Sequence, residues 1–209
     1  MSKAVIFDVG RVLIQWDIYT LYRKLLPDDD AITAFIDEVD LYHHNLEFDR
    51  GTPIAEGIAA LVRKFPHHKH LLEAFATRWE ETVPGPVHGS VEILAELEAA
   101  AVPLYAITNF ARETWQQTTK RFEFLQSSFI DIAVSAHEGV VKPDPDIYNR
   151  LLERNQLSAK NCIFIDDSEK NVVGAADVGI DAILFVDPQQ LRRDLRSRGL
   201  PLKPVGTMA

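Results

Sequence analysis

Short apolar runs that alternate with helical patterns are the dominant feature of this chain. Three runs are apolar without interruption and predict strands buried on both faces: Ala4–Phe7, Leu104–Ile107 and Cys162–Ile165. Two further runs predict strands at Ile130–Val134 and Ala182–Phe185. Between most of these runs apolar residues recur with helical spacing, as in residues 91–97 and 147–152. This alternation is typical of an α/β protein with a doubly wound parallel sheet covered by helices on both faces.

The segment between the first two predicted strands breaks the alternation. From about Ile14 to Pro86 the pattern favours helices only, at Ile18–Leu26, Ala31–His44, Pro53–Phe65 and Leu71–Thr82. Such a segment is too long for an ordinary crossover connection. We therefore expect residues 15–86 to form a helical cap inserted into a core of residues 1–14 and 87–209. Both junctions are close in sequence to strand ends, so the cap should cover the active face.

Composition and charge narrow the possible partners. The 209 residues suffice for one large domain with a smaller insertion, and the net charge of −9 disfavours binding to nucleic acid. The single cysteine, Cys162, excludes a disulfide framework and is expected in the core. Since no apolar run approaches the ~20 residues of a membrane span, and no signal-peptide pattern is found, we expect a cytoplasmic protein. We also expect it to be a monomer or a homodimer. The tail, residues 200–209, is expected to be loosely ordered.

Chemically active side chains follow the predicted strands. They are Asp8 after the first run, Thr108 and Asn109 after the second, Lys142 in the loop before residues 147–152, and Asp166 and Asp167 in and after the third. Taken singly, each is commonly a turn former or a helix cap. Because the carboxyl ends of parallel strands converge on one crevice, their joint occurrence predicts a shared site.

The charges of this set constrain its chemistry. Asp8, Asp166 and Asp167 would bring three carboxylates together, and Lys142 alone cannot neutralise them. Either a carboxylate is protonated, or a divalent cation such as Mg²⁺ is bound. With a cation present, Asp8 can approach a phosphate dianion, and Lys142 and the Thr108 hydroxyl can stabilise the transferring phosphoryl group.

The order Asp8-Val9-Gly10, Thr108, Lys142 and Asp166-Asp167 resembles the four motifs of the haloacid dehalogenase-like (HAD) hydrolase superfamily. The resemblance covers nearly the whole chain and implies a Rossmann-like core with a type 1 cap. It implies Asp8 as covalent nucleophile and as a ligand of Mg²⁺. Asp167 and the Gly10 carbonyl would be further ligands, with Asp166 a ligand or a neighbour of one, and Thr108 and Lys142 would stabilise phosphate. Asn171 stands where many members carry another acid; whether it contacts the metal directly or acts through water is left open.

Gly10 departs from the pattern of the superfamily. Most phosphatases of the group carry there a second Asp that serves as general acid and base, which is typically worth 10²–10⁴-fold in rate. Three consequences are open. The leaving group could need little protonation, as in a sugar 1-phosphate, or a cap residue or water could supply the proton. Alternatively, the enzyme would be slow or inactive. Asp8-Val9-Gly10-Arg11-Val12 is similar to the Asp-x-Gly-Asn-Val of α-glucose-1-phosphate phosphatase-like members, with Arg11 replacing Asn.

We therefore expect a Mg²⁺-dependent phosphatase acting on a small phosphorylated metabolite, most simply a sugar phosphate. The alternatives are a 2-haloacid dehalogenase, which the spacing of Lys142 and Tyr148 also fits, and an inactive binding protein. The candidate substrate-binding residues are Asn109, Arg11 and Trp16. Two of them have structural alternatives: Arg11 could be a solvated residue, and Trp16 could pack the cap against the core instead of lining the pocket. His67-His68-Lys69-His70 is expected to be the solvated start of a cap helix, because adjacent helical residues face different ways.

Overall fold

A five-stranded parallel sheet forms the centre of the protein, as seen in a computed structural model that describes residues 3–204. The strands are β1 (Ala4–Phe7), β2 (Leu104–Thr108), β3 (Asp131–Val134), β4 (Cys162–Asp166) and β5 (Asp181–Leu184). Their order is β3-β2-β1-β4-β5. All five predicted strands are confirmed, with ends that differ by a single residue or not at all.

The strand order explains why the site lies where it does. The chain begins in the central strand, winds outward through β2 and β3, and then crosses to β4 and β5 on the other side. Phe7 pairs with Ala106 of β2 and with Ile165 of β4. The next residue, Asp8, therefore lies between the carboxyl ends of two neighbouring strands, at the topological switch point where α/β proteins bind ligands.

Helices cover both faces of the sheet and connect its strands. In the core they are α6 (His88–Ala99), α7 (Arg112–Arg121), α8 (Phe124–Ser127), α9 (Ser135–Glu138), α10 (Pro145–Arg154), α11 (Glu169–Asp177) and α12 (Pro188–Ser197). Val5 and Phe7 pack in a cluster with α6 and α12, and the alternate residue Ile6 packs with α10 and α11. Successive strand residues thus face opposite helical layers, which confirms the doubly wound α/β fold.

Between β1 and β2 the structure contains helices and, among the described residues, no strand. These helices are α1 (Tyr19–Tyr22), α2 (Asp29–Val39), α3 (Leu41–Asp49), α4 (Ile54–Lys64) and α5 (Lys69–Arg78), with 3₁₀ turns at Pro66–His68 and Trp79–Thr82. Their apolar cluster includes Val9, Phe110 and Val134 from the carboxyl end of the sheet. The division into a cap of residues 15–86 and a core remains a prediction.

The helix predicted over Ala31–His44 is in fact two helices. Asp40 has φ +50°, which ends α2 after Val39 and redirects the chain into α3. Aspartate tolerates this left-handed conformation better than most residues. The hydrophobic pattern continues across the break, because Val39 and Leu41 are both buried.

His67 and His68 correct the argument that neighbouring histidines face different ways. The two rings are 4.3 Å apart, and their Nε2 atoms are each 2.9 Å from one oxygen of Glu38. The residues lie in a 3₁₀ turn that precedes α5, so the spacing argument for an α-helix does not apply to them.

The end of the chain is better packed than expected. Leu200 and Leu202 are buried in the cluster that also contains Leu191 and Leu195 of α12, so the prediction of a loose tail is wrong for these residues. Residues 205–209 of the predicted tail, and residues 1–2 of the predicted core, lie outside the described residues. Cys162 is buried in the core, as predicted. None of the helices within residues 3–204 has the length and apolarity needed to cross a membrane.

Candidate active site

Asp8 is the first carboxylate of the site and is held where β1 ends. Its backbone N–H donates to the Ile165 carbonyl at 2.8 Å, which extends the pairing with β4 by one residue. Its Oδ1 accepts from the Val9 N–H at 2.7 Å and lies 2.7 Å from Lys142 Nζ. The residue is 7% exposed, so these contacts fix a largely desolvated carboxylate at the edge of the sheet.

Lys142 joins the carboxylates of two neighbouring strands. Its buried Nζ is 2.7 Å from Asp8 Oδ1 and donates to Asp166 Oδ2 at 2.7 Å and to the Ile107 carbonyl at 3.0 Å. Since an ammonium group has three donors, this geometry uses all of them. The loop itself is fixed by Asn109, whose Oδ1 accepts from the Lys142 N–H at 2.8 Å and whose Nδ2 donates to the Lys142 carbonyl at 3.2 Å.

Asp166 is fully buried and connects Lys142 to α11. Besides the lysine, its carboxylate accepts from the Ser168 N–H at 2.8 Å and from Asn171 Nδ2 at 3.0 and 3.1 Å. These contacts fix the Asp166 carboxylate, which in turn holds the Lys142 ammonium group in place. The neighbouring Asp167 is more accessible, with 26% of its side chain exposed, and is the carboxylate of the pair that lines the cavity.

The site carries more negative charge than its own lysine can balance. Burial raises the pKa of Asp8 to about 7; the charges of Asp166 and Asp167 add to the rise and Lys142 opposes it. Burial, together with Asp166, also raises the pKa of Asp167, against the opposing charges of Arg11 and Lys142. For Lys142 burial acts to lower the pKa, but the charges of Asp166 and Asp8 outweigh it and raise the value. A further positive charge would stabilise this cluster.

The donor atoms of the site fit a hard divalent cation. Asp8, Asp166 and Asp167 each offer an oxygen, and these oxygens all lie within 4.8 Å of one another. The Oδ1 atom of Asn171 is buried and has no hydrogen-bond partner among the described residues, because only Nδ2 is used on Asp166. Gly10 lines the same cavity. An all-oxygen set of this kind is what Mg²⁺ prefers, usually with several waters retained.

A cavity of about 270 Å³ opens over these groups. Every site residue predicted from the sequence lines it except Asp166, which is buried next to Lys142. Asn45 and Asp49 of α3, together with Trp79, also line the cavity and were not predicted. They come from helical segments that lack the strand-end signal, and a helical pattern does not reveal which distant loop a side chain meets.

Arg11 and Trp16 line the cavity next to each other. Arg11 has φ +59°, its guanidinium lies 5.0 Å from the centre of the Trp16 ring, and its Nε donates to the Trp16 carbonyl at 3.3 Å. The same guanidinium is 3.7 Å from Asp167 Oδ2. Trp16 also packs edge-on against Tyr42 of α3. Their substrate-binding role, like that of Asn109, remains a prediction.

Comparisons with known proteins place the chain among hydrolases. The family model described as haloacid dehalogenase-like hydrolase matches residues 21–185. Sesquiterpene phosphatase astK of Aspergillus oryzae is 28% identical over 204 residues, which are 93% of this chain and 95% of that protein. A HAD family enzyme of Bacteroides thetaiotaomicron, solved as a magnesium complex, is 20% identical with a TM-score of 0.71, over 93% of this chain and 98% of that one.

A dehalogenase shares the fold as well. L-2-haloacid dehalogenase from Xanthobacter autotrophicus is 21% identical with a TM-score of 0.64, over 94% of this chain and 83% of that one. Both structural likenesses establish the fold, whereas the family match spans more than half of the chain. Asp8 and Gly10 precede the matched residues, and both line the cavity. The chain belongs to the haloacid dehalogenase-like hydrolase family.

Proposed function

We propose that this hydrolase is a Mg²⁺-dependent phosphatase that removes phosphate from a small monoester by way of an aspartyl-phosphate on Asp8. The observation that carries the proposal is the cluster of Asp8, Asp166 and Asp167, beside which the Asn171 Oδ1 atom has no hydrogen-bond partner within residues 3–204. A bound Mg²⁺ would offset the negative charge of the carboxylates and of the phosphate. The similarity to a sesquiterpene phosphatase supports the same reaction class.

The residues of the chain have separate tasks in this reaction. Both polar contacts of Asp8 described above fall on Oδ1, so we assign the attack on phosphorus to Oδ2. Lys142 keeps the nucleophile oriented and, with the buried Thr108 at the end of β2, stabilises the negative charge of the transferring phosphoryl group. Asp166 and Asn109 position Lys142 from its two ends.

A dehalogenase explains the acidic pair less well. Attack on carbon with loss of halide needs no cation, and three carboxylates near a carboxylate substrate would repel it. The Tyr148 hydroxyl, which the dehalogenase interpretation would use together with Lys142, is buried and donates to the Asn171 carbonyl at 2.9 Å. This tyrosine therefore supports the first turn of α11, which carries Asn171.

We propose a sugar phosphate as the substrate class. Asn45, Asn109 and Asp49 give the cavity hydrogen-bonding groups suited to hydroxyls, and the indoles of Trp16 and Trp79 give it flat apolar walls. The volume of about 270 Å³ is suited to a small ligand.

The test is a screen of phosphorylated metabolites, with p-nitrophenyl phosphate as a general substrate. Turnover is expected with Mg²⁺, and it should be abolished by EDTA or by Asp8→Asn. The exposed Asp37→Asn is a matched control that should retain turnover. Absence of phosphate release from every ester in the presence of Mg²⁺ would refute the proposal, and halide release from chloroacetate would establish the dehalogenase instead.

A further inference from the structure

Asp49 is a carboxylate that reaches the cavity from α3 and not from the sheet. It is the last residue of α3, is 8% exposed, and lines the cavity together with Asp8 and Asp167. We infer that Asp49 is the general acid and base of the phosphatase reaction, in place of the carboxylate that Gly10 lacks. This inference rests on the proposed function.

The main chain at Asp49 is fixed to the substrate face of the sheet. Ser135 Oγ, just after β3, donates to the Asp49 carbonyl at 2.6 Å and accepts from the Phe110 N–H at 3.0 Å. Gly51, at φ +113°, allows close approach, since a Cβ there would be 3.3 Å from the Ala136 carbonyl oxygen. The end of α3 is therefore held against the loops that follow β2 and β3.

The side chain of Asp49 is also oriented. Asn45, one helical turn earlier, donates from Nδ2 to Asp49 Oδ2 at 3.1 Å. This contact fixes the orientation of the carboxyl group. Residues 45 and 49 both line the cavity, which places the pair on the face of α3 turned toward the reaction.

The acidity of Asp49 suits a proton donor at neutral pH. Burial raises its pKa to about 7 against the opposing effects of the Ala111 amide and of Lys142, and the charge of Asp8 adds a smaller rise. A general acid works best when its pKa is near the operating pH, because both protonation states are then populated. The position of Gly10 has no such group, and a Cβ built there would meet no neighbouring heavy atom within 4 Å.

The two half-reactions balance with this assignment. In the first, an Asp8 oxygen bonds to phosphorus while the ester P–O bond breaks, and the leaving oxygen keeps the bonding electrons and takes the proton of Asp49. In the second, water attacks phosphorus, the Asp8–phosphorus bond breaks, and the Asp49 carboxylate accepts a proton of that water. Asp8 and Asp49 are then restored, and inorganic phosphate leaves.

The experiment compares leaving groups of different acidity in wild type and Asp49→Asn. A nitrophenolate leaves without protonation, whereas the alkoxide of an alkyl or sugar phosphate needs a proton. We expect Asp49→Asn to lower kcat/KM for the alkyl ester by roughly 10²–10³-fold and for p-nitrophenyl phosphate by less than about threefold. Introducing Gly10→Asp into the Asp49→Asn variant should restore at least tenfold of the loss on the alkyl ester.

The outcomes separate this inference from the proposed function. An equal loss on both esters would make Asp49 a structural residue and overturn the inference, while the phosphatase proposal would stand. A wild type inactive on both esters with Mg²⁺ would overturn the proposed function and the inference with it. Should circular dichroism show that Asp49→Asn does not fold, the wild type decides. A wild-type kcat/KM that falls by less than about 10³-fold from p-nitrophenyl phosphate to the alkyl ester supports the acid, and a larger fall overturns it.

Discussion

The two sides of the cavity are built in different ways. On the sheet side, Asp8, Lys142 and Asp166 come from strand ends or the adjoining loop, are almost fully buried, and are linked through one ammonium group. On the α3 side, Asp49 comes from the end of a helix and is tied to the sheet through the hydroxyl of Ser135. The groups assigned to bond-making are thus held by many contacts, and the group assigned to proton transfer by few. Catalytic side chains are positioned most accurately when packing and neighbouring hydrogen bonds lock their conformation.

The largest effect on stability is expected from removing the Lys142 ammonium group, which links the carboxylates of the sheet side. Lys142→Met leaves the carboxylates of Asp8 and Asp166 buried without their shared cation. We expect a loss of about 3–5 kcal/mol in the free energy of unfolding, measured by urea denaturation, and no detectable turnover. The exposed Lys69→Met is the control and should change stability by less than about 0.5 kcal/mol. A Lys142→Met variant as stable as the wild type would show that the sheet side is not the rigid one.

The next effect concerns the pH dependence of stability on the α3 side. The pKa of Asp49 is about 7 in the folded protein and near 3.8 when solvated, so ionising it opposes folding. Its neutral form contributes stability that is complete below about pH 4 and is lost as the pH rises through 7. Asp49→Asn should therefore gain stability relative to wild type by about 2–4 kcal/mol between pH 4 and 8. Parallel stability curves from urea titrations would contradict the raised pKa.

A smaller effect should follow from loosening the loop of Lys142. Asn109→Ala removes the two hydrogen bonds that hold the Lys142 backbone. We expect a loss of about 1–2 kcal/mol in the free energy of unfolding. We also expect lower kcat with little change in KM, measured on p-nitrophenyl phosphate, because the lysine remains but is less well aligned. A change in KM alone would instead favour the predicted substrate-binding role of Asn109.

The smallest effect should come from removing the hydrogen bond between Ser135 and the main chain of Asp49. Ser135→Ala removes the hydroxyl between Asp49 and Phe110 and is expected to cost about 1 kcal/mol of stability. Its kinetic signature should differ from that of Asp49→Asn, because the acid is displaced but still present. We expect a partial loss on alkyl phosphates, smaller than that of Asp49→Asn. A loss on alkyl phosphates as large as that of Asp49→Asn would contradict this expectation.

The sheet side could be predicted from the sequence, whereas the α3 side could not. Strands buried on both faces are uninterrupted apolar runs, and the polar residue that ends each run, such as Asp8 or Asp166, is automatically brought to one edge. Asp49 is brought to the cavity by the tertiary packing of α3 against Ser135, which lies 86 positions away in the sequence. Helical periodicity predicted that this part of the chain is helical, but it missed the break at Asp40 and could not select Asp49 among many acidic residues.

The contact between Ser135 and residue 49 uses the main-chain oxygen of that residue. Any amino acid at position 49 supplies the same oxygen, so this hydrogen bond does not depend on which side chain is present there. An engineer could therefore exchange the carboxylate for glutamate, histidine or cysteine and retune the working pH of the catalyst while keeping the main-chain contact with Ser135.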